Sequence, residues 1–413
     1  MSAPASPSKR AILFAYYYLP ENTSGVQRAC RIARYLPENG YQTHVICSSH
    51  QGADPSLRFV RHVPDDTSKA GGAGRVQRWY ELLQRILPYD ERLPWVPHAV
   101  QAARELLSQG PVDAVISTSP PVASHLAAWR LKRKHPDLTW MADFRDPILG
   151  NPGRARGWPD PYDRWLQESI FSAADAVVAV TDAVAEKWRG DYPRLASKIH
   201  VVWNGFDPGD GFRALPLPPR SHRVLLHAGV LYWQRHPTNV LLSLDRLMSA
   251  GRIDPSSVRL RFLGTVQKWE DLAALPPVQR LMEKGCIELI PKVPREEAMR
   301  EIATADMLFL IDITNNENLG YTVPAKIFDY LLTGRPLLAI TSPDGPVQRI
   351  LDGSGVPQVS VYHQDSPEQV DAKLMQFFSL PSTPVTPSRW FFETFDGQRQ
   401  AASIAALLDN LKK

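Results

Sequence analysis

In the stretch YTVPAKIFDYLLTGRP (321–336), Lys326 and Asp329 stand three residues apart, a spacing that places both on one face of a helix. A lysine in the first helical turn offers a point charge to a phosphate, and the free N–H groups and dipole of a helix N-terminus favour the same ligand. A carboxylate one turn further on can accept two hydrogen bonds from a ribose diol. The same spacing equally suits a plain i,i+3 ion pair on a solvated helix. Positioning the pair requires a helix that opens at the carboxyl end of a strand, and the sequence supplies one. Pro324 lies near the first turn, Ile327, Tyr330 and Leu331 repeat at helical spacing, and Gly334 and Pro336 end the pattern. MLFLIDI (307–313) just upstream reads as a buried strand, and LLAIT (337–341) starts the next.

A second group of chemical residues falls in WMADFRDP (140–147), where Asp143, Arg145 and Asp146 follow an apolar strand pattern. Asp143 or Asp146 can hydrogen-bond a hydroxyl that Arg145 orients, or the three can form a self-satisfied network capping the next helix. Gly25, at the start of the helical pattern VQRACRIARYL (26–36), permits close approach of backbone to a ligand, or is an ordinary turn glycine. ENTSGVQR lacks the GxGxxG dinucleotide fingerprint. Arg28, one turn into that helix, is an anion contact or a solvated residue. His125 follows another strand end and is a candidate on the same side; a packed surface histidine is the alternative.

With 413 residues, 44% hydrophobic and 22% charged, the chain has the composition of a soluble globular protein with two cores. A net charge of +4, without a basic stripe, argues against nucleic acid. Cys30, Cys47 and Cys286 have no CxxC spacing and no histidine pair has ligand spacing, so neither a disulfide framework nor a metal site is expected. The opening MSAPASPSKR has no apolar signal core, and no run approaches a membrane span, so a cytoplasmic protein is expected. RVQRWYELLQRIL (75–87) is amphipathic and basic and predicts either peripheral contact with the inner face of a membrane or a helix packed on its domain.

Along the chain, strand and helix patterns alternate twice. AILFAYYY, THVICSS, DAVISTS, TWMADF, AVVAVT and IHVVWN make the first set; VLLHAG, LRFLGT, IELIP, MLFLIDI and LLAIT make the second. Such alternation predicts parallel sheets covered by helices on both faces. The expected organisation is an N-terminal Rossmann-like domain over 1–207, a Gly/Pro-rich linker over 208–220 and a second such domain over 221–388. A segment over 389–413 should end in a helix packing back on the first domain. An α/β protein of two facing doubly wound domains binds its ligand in the cleft between the carboxyl ends of its strands.

TVPAKIFDYLLTGRPLLA resembles the donor-site segment of family-four retaining glycosyltransferases of the GT-B fold, in the branch that builds bacterial surface polysaccharides. WMADFRDP resembles the DFRDP segment of that branch. HVVWNGFD (200–207) is similar to the stretch that closes the first domain, and HAGVLYWQRHP (227–237) to the one that opens the second. The resemblance implies a donor site at Gly25, Gly229, Arg235, Tyr321, Thr322, Lys326 and Asp329. The diphosphate would be held by Arg235, Lys326 and amides near Thr322, and the ribose by Asp329. Asp143, Arg145 and Asp146 would be catalytic, with Arg28 and His125 on the acceptor side. Two positions depart from the family pattern. Tyr321 stands where many members have a first glutamate, and Val230 follows Gly229 where many have arginine. The implied reaction uses a UDP- or GDP-linked sugar and a saccharide or lipid-linked saccharide acceptor, with no metal or other cofactor. Two other readings are a nucleotide-sugar epimerase of the same fold, and a catalytically degenerate nucleotide-binding or scaffold subunit.

Overall fold

The computed structural model describes residues 9–21, 25–49, 52–65, 92–150, 160–231, 236–312 and 323–412. The chain forms two compact units, Met1–Asp207 together with Asp396–Lys413, and Pro208–Phe395.

The first unit is a seven-stranded parallel sheet: β1 (Lys9–Phe14), β2 (Tyr41–Ser48), β3 (Val60–Val63), β4 (Ala114–Ser119), β5 (Trp140–Phe144), β6 (Ala176–Ala179) and β7 (Ile199–Val201), in the order β3-β2-β1-β4-β5-β6-β7. The central strands β4, β5 and β6 are buried throughout, as expected where helices cover both faces. Helix Gly397–Asn410 also belongs here. Ile404, Ala405 and Leu408 join Ala29 and Ile32 in one core, and Asp409 accepts from Lys9 Nζ and Tyr41 Oη, each at 2.5 Å.

The second unit repeats the design with six parallel strands: β8 (Arg223–Ala228), β9 (Val258–Leu263), β10 (Ile287–Ile290), β11 (Met307–Ile311), β12 (Leu337–Thr341) and β13 (Gln358–Tyr362), ordered β10-β9-β8-β11-β12-β13. Phe262, Phe309 and Phe377 lie in its main core with Leu244, Leu281 and Leu338. Both sheets therefore share the doubly wound order, and the chain is an α/β protein of two Rossmann-like units. The order reverses between β1 and β4 in the first unit and between β8 and β11 in the second.

Two boundaries differ from the sequence reading. Residues 208–220 group with the second unit, because Leu215 donates its N–H to the Ala303 carbonyl at 2.8 Å and accepts from Arg335 Nη2 at 2.9 Å. The segment 389–413 divides at Phe395, whose ring packs against Phe328 and Phe391 of the second unit.

Gly334 closes helix Lys326–Leu332 at φ +63°, where an added Cβ would lie 1.8 Å from the Val385 carbonyl oxygen. Replacing Gly334 by Ala combines a left-handed penalty with a backbone clash. It should cost about 2–4 kcal/mol, read as a lower urea midpoint for the transition that includes the second unit.

Candidate active site

At the reversal point of the first sheet, Arg28 from helix Val26–Tyr35 reaches the end of β5. Its Nε lies 2.9 Å from Asp143 Oδ2 and its Nη2 lies 2.7 Å from Asp143 Oδ1. Arg28 is 3% exposed and Asp143 0%. Thr118 Oγ1 donates to Asp143 Oδ2 at 2.8 Å, while the guanidinium also donates to the carbonyls of Trp203 and Val202 at 2.7 and 3.0 Å. Burial alone would raise the Asp143 carboxyl, but the charge and hydrogen bonds of Arg28, with the bond from Thr118, carry it below the ordinary carboxylate range.

Both expectations for this pair are corrected. Asp143 already accepts bonds on both oxygens and has no surface, so it offers nothing to a substrate hydroxyl. Arg28 is neither an anion contact nor a solvated residue, because it is the counter-ion of Asp143.

Arg145, two residues on, points elsewhere. Its Nε and Nη2 donate to the carbonyls of Ser119 and Pro120 at 2.8 and 2.6 Å, bracing the loop after β4. A Cβ on Gly25 would come within 3.1 Å of its guanidinium, so Gly25 lets the start of the first helix pass close to this strut. Arg145 and Asp146 keep partial exposure. Burial raises the Asp146 carboxyl above its ordinary range, a shift that the charge of Arg145 partly offsets. The network foreseen among Asp143, Arg145 and Asp146 is thus replaced by two separate ones.

His125 is also corrected. It is 0% exposed, stacked at 4.1 Å on Phe144, with Nδ1 2.7 Å from Ser117 Oγ. Trp140 Nε1 donates to that same serine oxygen at 2.9 Å, so the hydroxyl joins the histidine to the indole. No ligand reaches the ring. Burial pushes its pKa down to about 3.

At the reversal point of the second sheet, β8 ends in His227 and Ala228, and Gly229 follows. His227 Nδ1 lies 2.9 Å from the Phe309 carbonyl of β11, and Lys326 Nζ lies 3.2 Å from His227 Nε2. Gly229 has φ +119°, and a Cβ there would stand 2.6 Å from Lys326 Nζ. The adjoining β9 is followed by Gly264 at φ +120°, where a Cβ would meet the Gly229 carbonyl oxygen at 2.8 Å. Tyr330, one turn after Lys326, brackets Ala228, accepting from its N–H at 2.7 Å and donating to its carbonyl at 3.3 Å. Lys326 and Asp329 are partly exposed, whereas Ile327, Phe328, Tyr330 and Leu331 are buried.

The helix is only seven residues long, and the N–H groups of Ile327 and Phe328 bond the carbonyls of Pro324 and Ala325. The side-chain charge, more than the helix dipole, therefore sets the electrostatics of this site. Arg235, Tyr321, Thr322 and the 75–87 segment lie outside the described residues. Among the described residues, no three His, Cys, Asp or Glu side chains are grouped to hold a metal ion, and no helix is long and apolar enough to cross a membrane.

Residues 24–210 match the model of Glycosyltransferase Family 4. Over that segment, which lies mostly in the first unit, the chain is similar to family-four glycosyltransferases. Its two-sheet architecture is the GT-B fold, shared across nearly full length with several solved structures. The chain aligns with sucrose-phosphate synthase from Thermosynechococcus elongatus over 98% of its own length and 96% of the other, at 12% identity and TM-score 0.58. It aligns with the lipopolysaccharide outer core galactosyltransferase WaaB over 97% and 99%, at 14% identity and TM-score 0.60. It aligns with Anabaena Alr3699/HepE in complex with UDP over 98% and 97%, at 13% identity and TM-score 0.53. No curated protein sequence matches the chain.

Of the residues singled out from the sequence, Gly229, Lys326 and Asp329 come together in the second unit, and Gly25, Arg145 and Asp146 in the first. His227, Tyr330 and Gly264 were not singled out. The spacing of Tyr330 four residues after Lys326 was a readable signal, while a histidine inside an apolar strand pattern was not.

Two stability measurements test the first-unit assignments. Arg28→Met leaves a buried, unpaired carboxylate and should cost about 3–5 kcal/mol, whereas adding Asp143→Leu should restore much of that loss. An unchanged urea midpoint in Arg28→Met would remove the pair from this role. For His125, the folded pKa lies below the unfolded value of 6.5, so the unfolded state binds the extra proton as pH falls. Stability should therefore drop from about pH 6.5 towards pH 3, by at most about 1.4 kcal/mol per pH unit, and His125→Gln should flatten that slope.

Proposed function

We propose that the protein moves a sugar from a nucleoside-diphosphate sugar to an acceptor hydroxyl with retention of anomeric configuration, in the assembly of a cell-surface polysaccharide or glycoconjugate. One observation carries the reading: an ammonium, Lys326, is held over Gly229 at the switch point of the second sheet, with the Asp329 carboxylate one turn away. This is the side of a doubly wound sheet where nucleotides bind.

Lys326, with Arg235, binds the diphosphate, and Asp329 accepts hydrogen bonds from the ribose diol. UDP in the HepE structure is consistent with a donor of this class. As the bond from C1 to the phosphate oxygen breaks, its electron pair leaves with the diphosphate, and fixed positive charge there lowers the barrier. The acceptor oxygen forms the new bond to C1 on the same face, and its proton passes to the departing phosphate oxygen. Arg145 and Asp146, the partly exposed residues of the first-unit cluster, are proposed to orient the acceptor. With the leaving charge met by side chains, the reaction is proposed to need no metal.

Wild-type protein should show a thermal shift with UDP or GDP, which Lys326→Ala and Asp329→Ala diminish. Loss of Lys326 should slow transfer by about 10-fold or more, from the 1.5–3 kcal/mol of one charge-assisted contact. EDTA should leave turnover unchanged. Conversion of donor without acceptor would favour the epimerase reading, and no shift with either nucleotide would sink the donor site.

A further inference from the structure

We propose that His227 is the positioning residue that fixes where Lys326 presents its charge, acting as a permanent hydrogen-bond acceptor buried beneath the site. The argument is one of hydrogen-bond polarity. His227 is 0% exposed in β8, between the rings of Phe262 and Phe309. Its Nδ1 faces the Phe309 carbonyl at 2.9 Å. A carbonyl only accepts, so Nδ1 carries the proton and the ring Nε2 presents a lone pair. An ammonium only donates, and Lys326 Nζ stands 3.2 Å from that lone pair. Each partner's role is therefore fixed by the next, from the β11 backbone to the lysine.

Two further contacts show that the lysine is located rather than merely nearby. Gly229 leaves the space that the ammonium occupies, since any Cβ there would lie 2.6 Å from Nζ. Tyr330 ties the helix carrying Lys326 to Ala228, the residue between His227 and Gly229. Both the backbone and the charged end of Lys326 are thus referenced to three consecutive residues of one strand end. Without the imidazole acceptor, a side chain with four rotatable bonds would lose a contact that restrains its rotamer.

This inference rests on the donor-site reading above, and its test separates the two. Binding of UDP and GDP, and of the phosphate-free uridine and guanosine, is measured by calorimetry on wild type, His227→Phe, His227→Gln, Lys326→Ala and the double variant His227→Phe/Lys326→Ala. His227→Phe keeps ring volume in an aromatic surrounding but removes the acceptor. It should weaken the bound diphosphate about 10-fold while leaving the nucleoside affinity within about 2-fold, and His227→Gln should recover most of the loss. The double variant should bind no more weakly than Lys326→Ala alone, because both changes remove one contact.

Equal loss of nucleoside and diphosphate would make His227 merely structural. Wild-type affinity in His227→Phe, or additive losses in the double variant, would overturn the proposal while leaving the donor site standing. Failure of wild type to bind either diphosphate would overturn the donor site and this inference with it. Independently of whether the variants fold, 15N chemical shifts of wild-type His227 should report a neutral ring protonated on Nδ1; an Nε2–H or doubly protonated ring overturns the proposal.

Discussion

Where a parallel sheet reverses its strand order, the helices leaving two neighbouring strands diverge to opposite faces, and the strand ends between them stand without a covering layer. Polar side chains that reach into that gap must find partners in a region of low dielectric. This chain meets the constraint twice, with opposite consequences. In the first unit, the gap beside β4 and β5 is filled by Arg28 and Asp143, a full cation against a full anion, with Thr118 and two backbone carbonyls taking further hydrogen bonds. In the second, the gap between β8 and β11 holds a lysine against a histidine ring that contributes an acceptor and no counter-charge.

The distinction decides which cluster can act on an anion. A guanidinium bound in two places to a carboxylate has little field left to offer, and removing either partner strands a charge whose desolvation outweighs any surface ion pair. Its role is to hold β5 and the first helix in register. A neutral imidazole satisfies one donor of an ammonium without cancelling its charge. The contact with His227 thus orders Lys326 while preserving its positive charge, the quantity that the proposed donor site requires. Preorganised charge of this kind requires no rearrangement as negative charge develops.

The legibility of these features followed from how locally each was encoded. β4, β5, β11 and β12 read directly as apolar runs because helices bury them from both sides. β3 (VRHV) and β13 (QVSVY) are edge strands that mix polar and apolar residues, and neither produced a run that stood out. Lys326 and Asp329 were readable as a pair because a helix fixes their separation. Asp143 was readable as unusual, yet its partner is 115 positions away on the first helix, and DFRDP invited pairing it with Arg145 instead. His227 was hidden for a similar reason: its two partners come from β11 and from the helix after it, and only the sheet order makes them neighbours.

The same geometry argues that a lysine, and not simply a cation, is specified at 326. The space beside its Nζ exists because Gly229 has no side chain and Gly264 allows the neighbouring strand end to close in behind it. An ammonium is compact and donates in three directions, so a bond to a neutral ring such as His227 uses one donor and leaves its charge in place. A guanidinium is planar and longer, with donors set in a rigid fork. Gly229, His227 and Lys326 therefore form one unit of constraint, in which the glycine sets the room, the histidine sets the direction and the lysine supplies the charge.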